Sequence, residues 1–164
     1  MIVRILLEIL VTMRSMIHSR LMNSLGYAGL LPFLAAVWAV YADLSFGAWS
    51  TPHLFLSYSV IILSFLAGAL WGKAKELEES NVNRFLLISS NVFALTAWLA
   101  VLLGRDYLLA GLAVSMTGFI LVYLVEHKTR GLLLQGMDST YLKFRLTLTS
   151  VVCIAHLVII ALTQ

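Results

Sequence analysis

Long apolar stretches alternate with short charged segments along the whole chain. The long stretches contain no Lys, Arg, Asp or Glu, and none shows the two-residue alternation of a membrane β-strand. A helix needs about 20 predominantly apolar residues to cross a bilayer, because its backbone groups must bond to one another. Stretches of about this length are Ser24–Ala42, His53–Gly72, Phe85–Gly104, Tyr107–Val125 and Leu146–Thr163.

This pattern predicts an all-α membrane protein, a bundle of five transmembrane helices in a single domain over residues 23–164. Composition agrees, because 61% of the residues are hydrophobic and 12% are charged, whereas soluble domains carry about 25% charged residues. We place the helices at about 24–42, 53–72, 85–104, 107–125 and 144–163.

Basic residues are distributed unevenly between the two ends of such helices. All Lys and Arg residues except Arg105 lie in the N-terminal segment, the second loop and the fourth loop. Cytoplasmic segments of membrane proteins collect Lys and Arg. We therefore predict a cytoplasmic N-terminus and an outside C-terminus, and the net charge of +3 reflects topology rather than nucleic-acid binding.

Residues 1–22 differ from the predicted spans. Arg4, Glu8 and Thr12 recur at helical spacing among apolar residues, which is typical of an amphipathic helix lying in the membrane interface. Glu8 interrupts the apolar run, and no small-residue cleavage site follows, so we expect no cleaved signal peptide. The alternative is that translation starts at Met22 and that this segment is not part of the native protein.

Small residues and one proline suggest how the helices pack. Pro32 follows Gly29 in helix 1 and removes a backbone hydrogen bond, which predicts a kink. Ser64, Gly68 and Gly72 recur every four residues in helix 2, and such a stripe lets another helix approach closely. We therefore expect helix 2 to be a central packing helix.

Few polar residues interrupt the predicted spans. Asn91 lies in helix 3, while Arg145, Thr149 and His156 share one face of helix 5. An intramembrane His is often functional, although a hydrogen bond between packed helices explains His156 equally well. A wet path along Asn91, Thr149 and His156 would indicate a small transporter or channel. No predicted span contains a carboxylate, which disfavours proton-coupled transport.

Nothing in the sequence predicts a cofactor, a metal or a catalytic residue. The four His residues fall at different depths, and a single cysteine, Cys153, excludes an internal disulfide and a multi-cysteine metal site. No Ser or Cys has a base and a carboxylate at matching depth. We therefore expect a non-enzymatic protein, with one enzymatic alternative described below.

Three segments resemble a known family. They are LGYAGLLPF at Leu25–Phe33, YSVIILSFLAGALWG at Tyr58–Gly72, and the stretch around Asp138, Tyr141 and Arg145. Together they resemble the family called domain of unknown function 3429, which includes mitochondrial transmembrane protein 69. The resemblance implies a small integral protein of bacterial or mitochondrial inner membranes and implies no particular activity.

The resemblance also implies roles beyond hydrophobicity for Pro32, Tyr58, Trp71 and Arg145. In the predicted topology Trp71, Asp138 and Arg145 lie on the cytoplasmic side. A cation–π contact between Trp71 and Arg145, or an Arg145–Asp138 ion pair, would link helices 2 and 5. The same cluster would suit a lipid phosphate.

Our leading functional hypothesis is a multi-pass inner-membrane protein that binds a lipid or hydrophobic ligand, or supports assembly of a membrane complex. One alternative is the transporter or channel. A second is a membrane enzyme that acts on lipid at the cytoplasmic rim through Asp138, Tyr141 and Arg145. The expected partners are membrane lipids, with a second copy or another membrane protein left open, and no nucleic acid.

Overall fold

The computed structural model describes residues 20–44, 50–133 and 139–164, and the side chains of residues 20–44, 50–129 and 141–164. Its helices confirm the predicted all-α fold, because five of them are long and apolar enough to cross a membrane. Most of the predicted N-terminal amphipathic segment lies outside the described residues. The five helices are α1 (Arg20–Tyr41), α2 (Thr51–Lys75), α3 (Asn81–Asp106), α4 (Leu108–Leu133) and α5 (Ser139–Leu162).

Helix α1 is broken where the sequence predicts a kink. Residues 20–28 are helical, residues 29 and 30 form a turn, and the helix resumes at Leu31. Pro32 has no N–H for the carbonyl one turn earlier, so the regular hydrogen-bond ladder cannot pass through this point. The carbonyl that loses this donor is that of Ala28, and the Tyr58 hydroxyl of α2 donates to the next carbonyl oxygen, that of Gly29, at 3.0 Å. A side chain from a neighbouring helix thus satisfies a carbonyl at the break.

Four helices form a ring, and the fifth packs outside it. Helix α1 contacts α2 and α5, and α4 contacts the same two helices from the opposite side. Helix α3 packs across α2 and α4. Helix α2 contacts α1, α3 and α4, so it occupies a central position as expected, and α4, which contacts α2, α3 and α5, does so as well.

The expected packing stripe of α2 faces away from the bundle. Ser64, Gly68 and Gly72 are all exposed, and a Cβ atom added at either glycine would meet none of the described atoms within 4 Å. The helix packs through a different face, on which the side chains of Leu63, Ala67, Leu70 and Ala74 are buried. The prediction that the stripe mediates packing within the chain was therefore wrong.

Helices α3 and α4 form a tight hairpin, as is predicted by the two-residue gap, Arg105 and Asp106, between their uncharged stretches. Only Tyr107 separates the two helices. A Cβ atom added to Gly111 would lie 2.7 Å from the Ala100 carbonyl oxygen and 2.7 Å from the Gly104 Cα atom. Glycine at position 111 therefore permits the close backbone approach of the two helices, because these obstructing atoms belong to the backbone and cannot rotate away.

The helices run past the ends of the uncharged stretches. Helix α2 continues to Lys75, and the Asn83 side chain donates to the Ala74 carbonyl oxygen near its end at 2.6 Å. Ser80 begins α3 as its N-cap residue and accepts a hydrogen bond from the Asn83 backbone N–H at 3.1 Å. Helix α4 extends furthest beyond its predicted end, and this extension brings a carboxylate into the bundle.

Candidate ligand-binding groove

A buried carboxylate joins three helices at one end of the ring. Glu126 of α4 accepts a hydrogen bond from Arg145 Nε of α5 at 2.6 Å, and both side chains are less than 10% exposed. Lys73 of α2 donates to the other oxygen of Glu126 at 3.3 Å. Its ammonium also donates to the Tyr141 hydroxyl at 3.2 Å. We call Lys73, Glu126, Tyr141 and Arg145 the charged cluster.

The expectation that no span contains a carboxylate was wrong. The uncharged stretch Tyr107–Val125 stops one residue before Glu126, and the structure continues α4 past this point. Glu126 lies within the apolar part of the helix and is 5% exposed. A signal was present in the sequence, because Lys73 and Arg145 lie at the matching ends of their own helices. Two cations at that depth call for a carboxylate beside them.

The link between α2 and α5 includes Arg145 as expected, but its other members are Lys73 and Glu126. Trp71 is exposed, and the cation over its ring is Lys75, with Nζ 4.8 Å from the ring centroid. The expected contact between Trp71 and Arg145 was therefore wrong. Asp138 lies outside the described residues, so its pairing with Arg145 stays a prediction. Glu126 makes the connection, because it accepts hydrogen bonds from both helices.

Arg145 retains a donor that this cluster does not satisfy. Its Nη2 atom is buried and has no hydrogen-bond partner among the described residues. The adjacent Nε atom is fixed by Glu126, so the orientation of the guanidinium group is set by the protein. Leaving a buried donor without a hydrogen-bond partner costs about 1–3 kcal/mol, and more when the group is charged. An acceptor from outside the described residues would remove this cost.

A groove of about 470 Å³ extends from the charged cluster between α1, α2, α4 and α5. Its α2 wall runs from Ile62 to Lys73, a distance of about 16 Å at 1.5 Å per residue. Beyond the cluster the walls are mostly apolar. The lining residues outside the cluster are Met22, Leu25, Gly26, Gly29, Leu30, Phe33, Ile62, Phe65, Leu66, Ala69, Phe119, Phe144, Leu148, Thr149 and Val152.

The break in α1 and one aromatic contact shape the groove wall. Gly29, whose carbonyl binds Tyr58, lines the groove. The rings of Tyr27 and Phe144 meet edge to face with centroids 5.2 Å apart. Phe144 also packs against Gly26, where a Cβ atom would collide with the ring. Pro32 and Tyr58 therefore act on the groove through the backbone of α1.

His156 is fully buried next to the groove, behind Phe33 and Phe119 of the groove wall. The ring is 0% exposed and packs against Phe33, Phe55 and Phe119. Its Nδ1 atom lies 2.9 Å from the Val152 carbonyl oxygen, and Nε2 lies 3.3 Å from Ser115 Oγ. We call the set Phe33, Phe55, Ser115, Phe119 and His156 the histidine pocket.

Both ring nitrogens of His156 have partners. A carbonyl oxygen can only accept, so Nδ1 donates to Val152, and in a neutral imidazole Nε2 then accepts from the Ser115 hydroxyl. The geometry favours the packing interpretation of His156 over the functional one. Thr149, one helical turn from Arg145, is buried and lines the groove instead.

The predicted polar path along helices 3 and 5 is not formed within the chain. Asn91 is exposed on the outer surface of α3, and its Nδ2 atom donates to the Leu87 carbonyl oxygen of the same helix at 2.8 Å. His156 lies inside the ring of four helices. Asn91 therefore faces away from the ring of helices that contains Thr149 and His156.

Comparison with known families identifies the chain at the level of its family. The model of the family described as Protein of unknown function (DUF3429) matches residues 18–161. The chain belongs to this family. The match includes all five helices of this DUF3429 protein except the final residue of α5, Leu162. Neither the comparison with curated proteins nor that with solved structures gave a match.

Proposed function

We propose that this protein binds a lipid or another elongated hydrophobic ligand in the groove. One observation carries the proposal: an apolar groove of about 470 Å³ ends at a buried charged cluster in which Arg145 Nη2 has no partner among the described residues. Ligand sites of about 300–1,000 Å³ with mostly apolar walls and a few converging polar groups are typical of proteins. The groove has this size and this distribution of polar groups.

The position of the groove favours a ligand that enters from the membrane. Leu25 and Phe65 line it and are 63% and 70% exposed. In a membrane-spanning bundle, such exposed apolar side chains contact hydrocarbon. A ligand with a long apolar chain can therefore pass sideways from the bilayer into the groove without crossing water.

The asymmetric distribution of Lys and Arg supports a cytoplasmic location for the charged cluster. Lys73 and Arg145 lie at the ends of α2 and α5 that connect to the basic loops. We therefore propose an inner-membrane protein, bacterial or mitochondrial, with its N-terminus in the cytoplasm or matrix. Such an orientation gives the groove access to lipids of the inner-facing leaflet.

Purification in mild detergent followed by native mass spectrometry tests lipid binding. We expect the wild-type protein to retain a lipid or another apolar molecule. Ala69→Trp places an indole in the groove and should reduce the retained fraction severalfold. Ala94→Trp is the matched control, because Ala94 is exposed on α3 away from the groove.

Two results would contradict the proposal. The first is a protein that retains nothing in several mild detergents. The second is equal retention in the Ala69→Trp and Ala94→Trp variants, which would indicate lipid bound unspecifically around the bundle. Chemical conversion of a retained lipid would favour the alternative hypothesis of an enzyme that uses Asp138, Tyr141 and Arg145.

A further inference from the structure

We infer that the ligand is an anionic phospholipid, whose phosphate binds Arg145 and Lys73 while one acyl chain lies along the groove. The inference rests on the proposed function and specifies its ligand. Three features of the site support it: the charge of the cluster, the Arg145 donor that has no partner among the described residues, and the depth of the cluster in the bundle.

The charged cluster carries more positive than negative charge. Lys73 and Arg145 are both cationic, and Glu126 is the single carboxylate among the described residues of the cluster. A positive charge held among apolar side chains is costly unless an anion compensates it. A lipid phosphate supplies one negative charge at the end of an apolar chain, which matches the polarity of the groove.

Glu126 accepts hydrogen bonds from only some of the donors in the charged cluster. Glu126 binds Arg145 through Nε, Nη2 is buried without a partner among the described residues, and the Arg145 side chain lines the groove. A guanidinium group suits phosphate because its planar donors match the spacing of the phosphate oxygens. Lys73 Nζ and the Tyr141 hydroxyl lie 3.2 Å from each other and line the same end. They can hold a second oxygen of the phosphate.

The depth of the cluster matches that of phospholipid headgroups. Lys73, Glu126 and Arg145 each lie within four residues of the end of their membrane span, which is about 6 Å along a helix axis. Basic residues at this depth are within reach of lipid phosphates. A second acyl chain can remain in the bilayer, because the groove is open beside Leu25 and Phe65. This opening favours a two-chain phospholipid over a free fatty acid.

Native mass spectrometry with matched lipids tests the inference. The delipidated wild-type protein is titrated with dioleoyl phosphatidylglycerol and with dioleoyl glycerol, which has the same chains and no phosphate. We expect the anionic lipid to be retained about tenfold better, because hydrogen bonds to charged groups are the stronger ones. Higher salt should reduce this ratio.

Three variants locate the headgroup. Arg145→Lys preserves a cation opposite Glu126 and removes Nη2, so it should lower the ratio of anionic to neutral lipid severalfold. Lys73→Gln removes a partly exposed charge of the cluster and should also lower it. Lys75→Gln is the matched control on the same helix, because Lys75 stacks on Trp71 outside the groove, and its ratio should equal that of the wild type. Thermal unfolding confirms that each variant is folded.

The outcomes separate the inference from the proposed function. Equal retention of both lipids would overturn the anionic ligand and leave lipid binding intact. Retention of neither lipid would overturn both. A loss in Lys75→Gln as large as that in Lys73→Gln would show attraction to the whole basic surface rather than to the cluster. Tighter binding of oleate than of phosphatidylglycerol would show that the ligand is a fatty acid and not a phospholipid.

Discussion

The charged cluster and the histidine pocket are two polar sites within the same ring of helices, and they differ in how completely their polar atoms are satisfied. Both nitrogens of His156 have partners, and aromatic rings enclose it. Arg145 has one nitrogen bound to Glu126 and another without a partner among the described residues. His156 itself is fully buried, whereas the residues of the charged cluster line an open groove. Unfinished hydrogen bonding beside an open space therefore indicates a binding site better than the presence of an ionisable residue does.

The largest effect is expected from removing the carboxylate of the charged cluster. Glu126→Gln leaves the buried guanidinium of Arg145 without its counterion, and breaking a buried ion pair in this way costs about 3–5 kcal/mol. The free energy of unfolding, measured by denaturant titration in mixed micelles, should fall by this amount. Glu126→Gln combined with Arg145→Met removes both charges and should recover most of the loss. If Glu126→Gln alone were as stable as the wild type, the Glu126–Arg145 pair would contribute nothing to the free energy of unfolding.

The histidine pocket should respond to lost volume rather than to lost charge. His156→Ala leaves a cavity among Phe33, Phe55 and Phe119 and should lower the free energy of unfolding by about 2–4 kcal/mol. Ser115→Ala removes only the hydroxyl partner and should cost about 1 kcal/mol or less. The same unfolding measurement checks both variants.

Lipid retention distinguishes the two regions in the same experiment. His156→Phe keeps the pocket filled, so a folded variant should retain lipid as the wild type does. A selective loss of retained lipid in folded His156→Phe would contradict the assignment of His156 to packing and would extend the binding site into the histidine pocket.

Features governed by neighbouring residues could be predicted from the sequence. The five spans follow from the cost of placing charges in hydrocarbon, and the break in α1 follows from the missing N–H of Pro32. The α3–α4 hairpin follows from the two-residue gap between uncharged stretches. Each of these features depends on a local property of the chain, so no knowledge of the other helices is needed.

Features that depend on which helix faces which could not be predicted in this way. Gly68 belongs to a stripe that suits close packing, yet the buried face of α2 is a different one. Glu126 was missed because the end of a span was taken to be the end of its uncharged stretch. A charged residue stays within a buried helix when partners lie beside it, and those partners, Lys73 and Arg145, come from distant parts of the chain.

Tyr58 connects the two regions and should give an intermediate effect. Its ring packs on Phe33 of the histidine pocket at 4.9 Å between centroids, and its hydroxyl donates to Gly29 in the groove wall. Tyr58→Phe keeps the ring and leaves the Gly29 carbonyl without this donor, so it should cost about 1 kcal/mol of unfolding free energy. Phe33→Leu is the matched variant, because it removes the aromatic ring that packs on Tyr58 and keeps the Tyr58 hydroxyl. If Tyr58→Phe were neutral while Phe33→Leu destabilised the protein, the ring and not the hydroxyl would hold the break.

The smallest effect is expected at Asn91, the polar residue that lies in neither region. Its side chain is exposed on α3 and donates to a carbonyl of its own helix, so Asn91→Leu removes no contact between helices that the structure records. The free energy of unfolding should change by no more than about 0.5 kcal/mol, and lipid retention should stay the same. A loss of several kcal/mol, or a change in the number of copies detected by native mass spectrometry, would show that this amide has a partner outside the single chain. Asn91 would then join Arg145 as a polar group whose function depends on what binds to it.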